Sequence, residues 1–227
     1  MTKSSLGLLI TAAVIAAAVC FVGCGRQKKE TAASDKAEAE QWQQERLQLY
    51  NDSIYPNAVA HIQTGDMVTR LGSDITSEML RQLNQQDQSF SHCGIASVEN
   101  DTVFVYHAIG GEFNPDEKVR RETLYSFGHP TDNKGIGIFM ANTDSVQNQK
   151  LLAIVQKAYK DEMKFDMQFD YRTDDRQYCA EFVAKAYTRA CGDSSWLHFS
   201  QKGTFNYVAV DNIFLSGFMM EKARFSY

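Results

Sequence analysis

Cys179 opens the segment Tyr178-Cys179-Ala180-Glu181-Phe182-Val183 behind an acidic, turn-prone stretch, which places its thiol at the N-terminus of a helix. Free backbone N–H groups and the positive end of the helix dipole favour a thiolate there, and the thiolate is the reactive form of cysteine. Such a nucleophile needs a base. Two histidines are candidates, His92 in Phe90-Ser91-His92-Cys93-Gly94-Ile95 and His107 in Val105-Tyr106-His107-Ala108. A thiol, an imidazole to take its proton and a second polar ring to orient the first would together make an activated nucleophile for acyl transfer. Each residue alone has a plainer reading. Cys179, Phe182, Val183, Ala186 and Tyr187 recur at helical spacing, and a cysteine in such a stripe is more often packing than chemistry.

The elements that must position these groups are legible from periodicity and turn chemistry. Residues 90–98 and 102–108 read as two strands, and a two-residue loop at Asn100-Asp101 would pair Glu99 with Thr102, Val98 with Val103 and Ala96 with Val105. His92 and His107 then share one face as diagonal neighbours, roughly 7–8 Å apart between backbones, so their rings can meet. A loop one residue longer would put them on opposite faces. His61 to Arg70, with Gly65-Asp66 at its middle, reads as a turn feeding a short strand, residues 73–83 as a helix capped by Ser73 or Asp74, residues 135–140 as a strand, and residues 144–160 as an amphipathic helix. The aromatic-rich segment Ile213 to Met220 is expected to close the sheet as a late strand, and the Phe199 to Val210 segment to pack or loop near the cleft.

The N-terminus carries an apolar run from Leu6 to Val22 behind Lys3, ending in Phe21-Val22-Gly23-Cys24. Gly-Cys at the end of an Ala-rich run resembles a bacterial lipobox, so residues 1–23 are expected to be a signal peptide, with Cys24 lipidated and the chain held at the cell envelope through a membrane anchor. The alternative is an uncleaved span, supported by Arg26, Lys28 and Lys29 beyond the run. Residues 24–60 are polar, with a helix-prone second half, and read as a tether; Trp42, Leu47 and Tyr50 are available to dock on the domain expected over residues 61–227. Lipidation would leave Cys93, Cys179 and Cys191, an odd set in which a Cys93–Cys191 disulfide is possible but not dictated.

Composition bounds the function. The chain has 227 residues, 44% hydrophobic and 22% charged, with a net charge of −5, so no basic footprint points to nucleic acid. The acidic run Asp161, Glu162, Asp166, Asp170, Asp174 and Asp175 lacks the glycine and spacing of a calcium loop. His61, His129 and His198 have no ligand spacing, and zinc through His92 and Cys93 fails because adjacent strand residues point to opposite faces. Neither metal nor other cofactor is expected.

The order Gly65-Asp66, Ser91-His92-Cys93-Gly94-Ile95, Val105-Tyr106-His107-Ala108, Phe165-Asp166-x-x-Phe169 and Tyr178-Cys179-Ala180-Glu181-Phe182-Val183 resembles the YiiX/YebB-like permuted papain-fold amidases, relatives of the NlpC-type cell-wall peptidases and of lecithin:retinol acyltransferase. The resemblance covers roughly Ile62 to Cys191. It implies an α+β, circularly permuted papain-like fold, with an antiparallel sheet packed against helices and the strand histidine ahead of the helix cysteine. It also implies Cys179 as nucleophile and His92 as general base, with the third position falling on His107 and Glu112 as a fallback orienter. The oxyanion would be held at the helix start, beside Tyr178. Implied substrates are a cell-wall peptide amide or, in the alternative, an acyl lipid; a catalytically silent binding lipoprotein is the third reading.

Overall fold

The structure, a computed structural model, describes residues 35–111 and 116–227. The expected signal peptide, the lipidation site Cys24 and the fallback orienter Glu112 lie outside these residues. Among the described residues no helix is long and apolar enough to cross a membrane. Two compact units divide at residue 45. In the first, residues 35–45 are helical and Trp42 is exposed. The second runs from Arg46 to Tyr227. It therefore takes in residues 46–60, which the sequence reading gives to the tether. The physical reason is apolar burial: a π-helical turn over Tyr50–Ile54 and the helix α2 (Tyr55–His61) sink Tyr50, Ile54 and Ala58 into a core.

That unit is built on one six-stranded antiparallel sheet. Its strands are β1 (Met67–Gly72), β2 (His92–Glu99), β3 (Thr102–His107), β4 (Arg120–Thr123), β5 (Asn133–Ala141) and β8 (Met219–Ser226), in the order β4-β3-β2-β1-β5-β8. The β2–β3 hairpin has the expected register, with Val98 opposite Val103 and Ala96 opposite Val105. Asn100 and Asp101 both take positive φ, 49° and 62°, which is the two-residue turn whose twist matches the strands it joins.

Alternation along β2 sorts side chains to two cores. Cys93 and Ile95 point to the face covered by the helices α5 (Ser145–Lys160) and α6 (Cys179–Cys191), with Met67, Phe139, Leu151, Phe182 and Val183. Ala96, with Val68, Val105 and Ile138, points to the other face, covered by α2, the π turn and the short helix α4 (Leu124–Phe127). Helix α3 (Ile75–Arg81) is capped by Asp74, whose carboxylate accepts the Ser77 N–H. α5 starts in a capping box between Asp144 and Gln147.

One expected strand is not there. Residues 210–214 form the helix α7 (Val210–Phe214), and the closing strand begins later, at Met219. Local chemistry overrides the aromatic composition of this segment. Asn212 accepts the Ala209 N–H at the helix start, and buried Asp211 accepts the N–H groups of Gln85 and Gln86 at 2.8 and 2.7 Å. The preceding segment is a small hairpin of β6 (Ser200–Lys202) and β7 (Phe205–Tyr207), turned at Gly203 with φ +62°.

Candidate active site

Cys179 is the first residue of α6, and Tyr178 is its N-cap in extended conformation. Two tethers fix that helix start. The Tyr178 N–H donates to Glu181 Oε2 at 3.2 Å, and the Tyr178 hydroxyl accepts the Val208 N–H at 2.9 Å. Farther along, the fully buried Tyr187 donates its hydroxyl proton to the Gly65 carbonyl at 2.8 Å, which ties α6 to the turn before β1. Gly65 has φ +93°, and a Cβ there would lie 2.4 Å from the Asn148 side chain. Asp66 beside it pairs with Lys222 at 2.8 Å. The Gly65-Asp66 signature is thus a clamp on the helix that presents the cysteine. α6 itself is buried on nearly every side from Cys179 to Tyr187, not along one stripe.

The Cys93 thiol and the backbone N–H groups of Ala180, Cys93 and Cys179 lie about the Cys179 thiol and favour its charged form. The Cys93 contact contributes most, and together these donors outweigh burial and lower the thiol below its ordinary value. Cys93 goes the other way: full burial, then its bond to Cys179, push it well up. Cys93 points toward α6 because it is on that side of β2.

His92 and His107 come together on the opposite face. Their rings lie T-shaped at 5.0 Å, with His92 Nε2 2.9 Å from His107 Nδ1, and both pack on Phe127. Beyond them, His107 Nε2 lies 3.5 Å from Glu122 Oε2 on β4. The Glu122 carboxylate can only accept, so across this long contact it favours a proton on His107 Nε2; with that tautomer His107 Nδ1 accepts from His92 Nε2–H and the nitrogen left unprotonated is His92 Nδ1. Burial, with the charge of Arg70 and the neighbouring His107, keeps His92 well below the ordinary imidazole value, and burial keeps His107 low as well. Glu122 is held at about 2, chiefly by the hydrogen bond from His107. A neutral base backed by an anion is the result.

In this state the thiol's partners are Cys93 and the backbone, whereas the His92 ring's partner is His107. The two halves adjoin through the chain. His92 stands between Cys93, which bonds the thiol, and Ser91, which lines the same cavity as Cys179. That cavity holds about 220 Å³ and is walled mainly by apolar groups, among them Leu83, Phe169, Tyr178 and Val208, with Lys202 on the β6–β7 hairpin. Tyr207 on that hairpin donates its hydroxyl proton to the Leu83 carbonyl, joining the two sides of the wall at 2.9 Å.

A profile of the permuted papain-like amidases, the YaeF/YiiX group or C92 family, matches residues 61–210. The chain belongs to this family. Uncharacterized protein YiiX of Escherichia coli K12 is 29% identical over 131 residues, which cover 57% of the chain and 59% of that relative's length. The crystal structure of metalloprotein yiiX from Escherichia coli O157:H7 superposes with a TM-score of 0.60 at 20% identity, over 74% of the chain and 99% of that structure. The fold is accordingly the permuted papain-like one, α+β with an antiparallel sheet against helices.

A metal site does not follow from that likeness. Among the described residues no three His, Cys, Asp or Glu side chains are grouped to hold an ion, and the facing nitrogens of His92 and His107 engage each other. Of the acidic run, Asp170 pairs with Arg172, Asp174 with Lys185 and Arg189, and Asp161 with Lys157, while buried Asp166 accepts two backbone N–H groups. Cys93, Cys179 and Cys191 are all free thiols, so the Cys93–Cys191 bridge is not formed.

Sequence reasoning missed two residues. Glu122 lies outside every motif singled out in the sequence; pairing β4 with β3, which sets Glu122 opposite Val105, would have found it. Cys93 was weighed only as a disulfide partner or zinc ligand, although the alternation that separates it from His92 also aims it at α6.

Proposed function

We propose that the chain is a cysteine amidase acting through a thioester acyl-enzyme. The observation that carries this is Cys179 at the start of α6, opening on a cavity that is also lined by Ser91, the residue before His92, with the His92 ring backed by His107 and Glu122. His92 Nδ1 takes the thiol proton, Sγ attacks the substrate carbonyl, and the N–H groups at the helix start hold the oxyanion. The leaving amine departs with the proton from His92, giving the thioester. Water, deprotonated by the same nitrogen, then attacks the thioester carbonyl and the carboxylic acid leaves Cys179. His107 and Glu122 keep His92 in the working tautomer, and Tyr178 positions the cavity wall through Val208.

The substrate we assign is an amide at the bacterial envelope, such as a peptidoglycan stem peptide, with the chain anchored there through Cys24. The apolar cavity supports a second reading, in which the acyl part is a lipid chain and the enzyme is an acyl hydrolase or acyltransferase. Incubating purified protein with muropeptides and, separately, with acyl lipids, then reading acyl adducts on Cys179 by mass spectrometry, distinguishes them. Release of new amine termini from muropeptides supports the amidase; an adduct from the lipid alone supports the second reading. Absence of any adduct, with wild-type binding retained, would make the protein a binding module.

A further inference from the structure

The β6–β7 hairpin walls the cavity and takes part in no step of the acyl transfer. Its strands pair Ser200 with Tyr207, Gln201 with Asn206 and Lys202 with Phe205. Directly opposed residues share a face and successive residues alternate. Ser200, Lys202, Phe205 and Tyr207 therefore lie on one side of the hairpin, and Gln201 and Asn206 on the other. Lys202, Phe205 and Tyr207 line the cavity together with Cys179, and Gln201 and Asn206 do not. Strand pairing and cavity wall thus agree on which face looks inward.

On the acyl-enzyme reading above, on which this rests, we propose that the hairpin sets the specificity of the site: Lys202 selects an acyl group that is apolar next to its reacting carbonyl and carries a carboxylate farther along. With the carbonyl carbon at Cys179 and its oxygen at the helix start, the acyl group extends between Leu83, Phe169 and Val208, where a charge would lose water and find no partner. Lys202 is the one basic side chain of that wall, and among the described residues no Asp or Glu lines the cavity with it. Lys185, by contrast, is held by Glu181 and Asp174 at 2.8 Å each. The Lys202 ammonium is left to an anion that arrives with the substrate. One ammonium matches the single charge of a carboxylate; a phosphate monoester, at about −1.5 to −2 near neutrality, would exceed it.

The base of the hairpin is fixed on both sides. The Tyr207 hydroxyl donates to the Leu83 carbonyl at 2.9 Å and accepts from Gln85 Nε2 at 3.0 Å, and Ser200 Oγ donates to Asn212 Oδ1 at 3.0 Å. These bonds hold the hairpin to the loop after α3 and to α7, and leave exposed Lys202 beside the turn at Gly203. An ion pair formed there is screened by water, so it discriminates by about two- to fivefold and fades with added salt.

The test labels the purified full-length chain with maleimidoacetic, maleimidobutyric and maleimidohexanoic acids, each in parallel with its neutral primary amide, and reads the adducts by peptide mass. At low salt, Cys179 of the wild type is expected to take the acid about two- to fivefold faster than the amide for at least one chain length. The preference is lost in Lys202→Gln, reverses in Lys202→Glu, and has no counterpart at Cys191, which lies beside the carboxylates of Asp193 and Asp144. Equal rates for acid and amide at every length, or a preference that survives in Lys202→Gln, overturn the proposal. So does a Cys179 that iodoacetamide alkylates but no maleimide reaches. A Cys179 that reacts with none of these reagents, iodoacetamide included, while Cys191 does, overturns the acyl-enzyme reading itself. The wild-type ratio and its loss at high salt decide the outcome even if a variant does not fold, and no substrate is needed.

Discussion

Cys179 and Cys191 stand at the two ends of one helix, and their thiols are pushed in opposite directions. At the N-terminal end backbone N–H groups and the Cys93 thiol converge on the sulfur and lower it despite burial. At the C-terminal end burial, then the carboxylates of Asp193 and Asp144, raise Cys191, where the helix presents carbonyls and not donors. Cys191 is the more exposed of the two. Exposure alone would rank Cys191 first; the direction in which the backbone points its donors ranks Cys179 first, as the proposed function requires.

The contrast can be broken hardest at the thiol itself. Cys179→Ala should lower amide hydrolysis by about 10³-fold or more, while Cys191→Ala leaves it within error, measured as kcat/KM on the same substrate. Next is the base. His92→Ala should cost about 10²–10⁴-fold in kcat and remove the enhanced alkylation of Cys179 at neutral pH, with Cys191 labelling unchanged.

Glu122→Gln tests the far end of the relay. Losing the anion that fixes the His107 tautomer should lower kcat by at least about tenfold with KM little altered, and should change the shape of the pH–rate profile, which a purely structural role would not do. Glu122 also links to stability. Its folded value of about 2 lies below the ordinary 4.5, so its contribution is present above pH 4.5 and is lost as pH falls toward 2. With the carboxylate partly exposed, that contribution is about 1–3 kcal/mol, read as a smaller acid-induced drop in unfolding free energy for the Gln variant.

Arg70 gives a smaller and purely directional effect. Its guanidinium lies across Phe127 and holds both histidines low, so Arg70→Gln should move the acid limb of the activity profile to higher pH. Cys191→Ser is the smallest change, about 0.5 kcal/mol or less in stability with no shift in Cys179 labelling.

Much of this arrangement is legible in the sequence, and the reasons differ by region. The hairpin register follows from Asn100-Asp101, two residues suited to positive φ, and it alone sets His92 beside His107. The start of α6 follows from its apolar spacing behind an acidic turn. What the sequence conceals depends on contacts made across long separations. Residues 46–60 look polar, but Tyr50 finds a pocket against Leu124 and Tyr125 and draws its segment into the core. Residues 213–220 look strand-like because Phe and Ile dominate, but Asp211 is recruited by the turn at Gln85-Gln86 and the segment coils. At the site, the period-two rule was used to part Cys93 from His92 but not to ask which helix covers the Cys93 face. Followed one residue further, it places Cys93 against the helix that carries Cys179.

The most direct measurement is competitive alkylation of the native protein by iodoacetamide across pH, with the two cysteines resolved by peptide mass. The account predicts that buried Cys179 labels faster than half-buried Cys191 at neutral pH and begins to react below the ordinary thiol range, while Cys191 begins above it. Labelling of Cys191 first, or a Cys179 profile rising only at or above the ordinary thiol value, would contradict the claim that the helix start makes Cys179 the nucleophile.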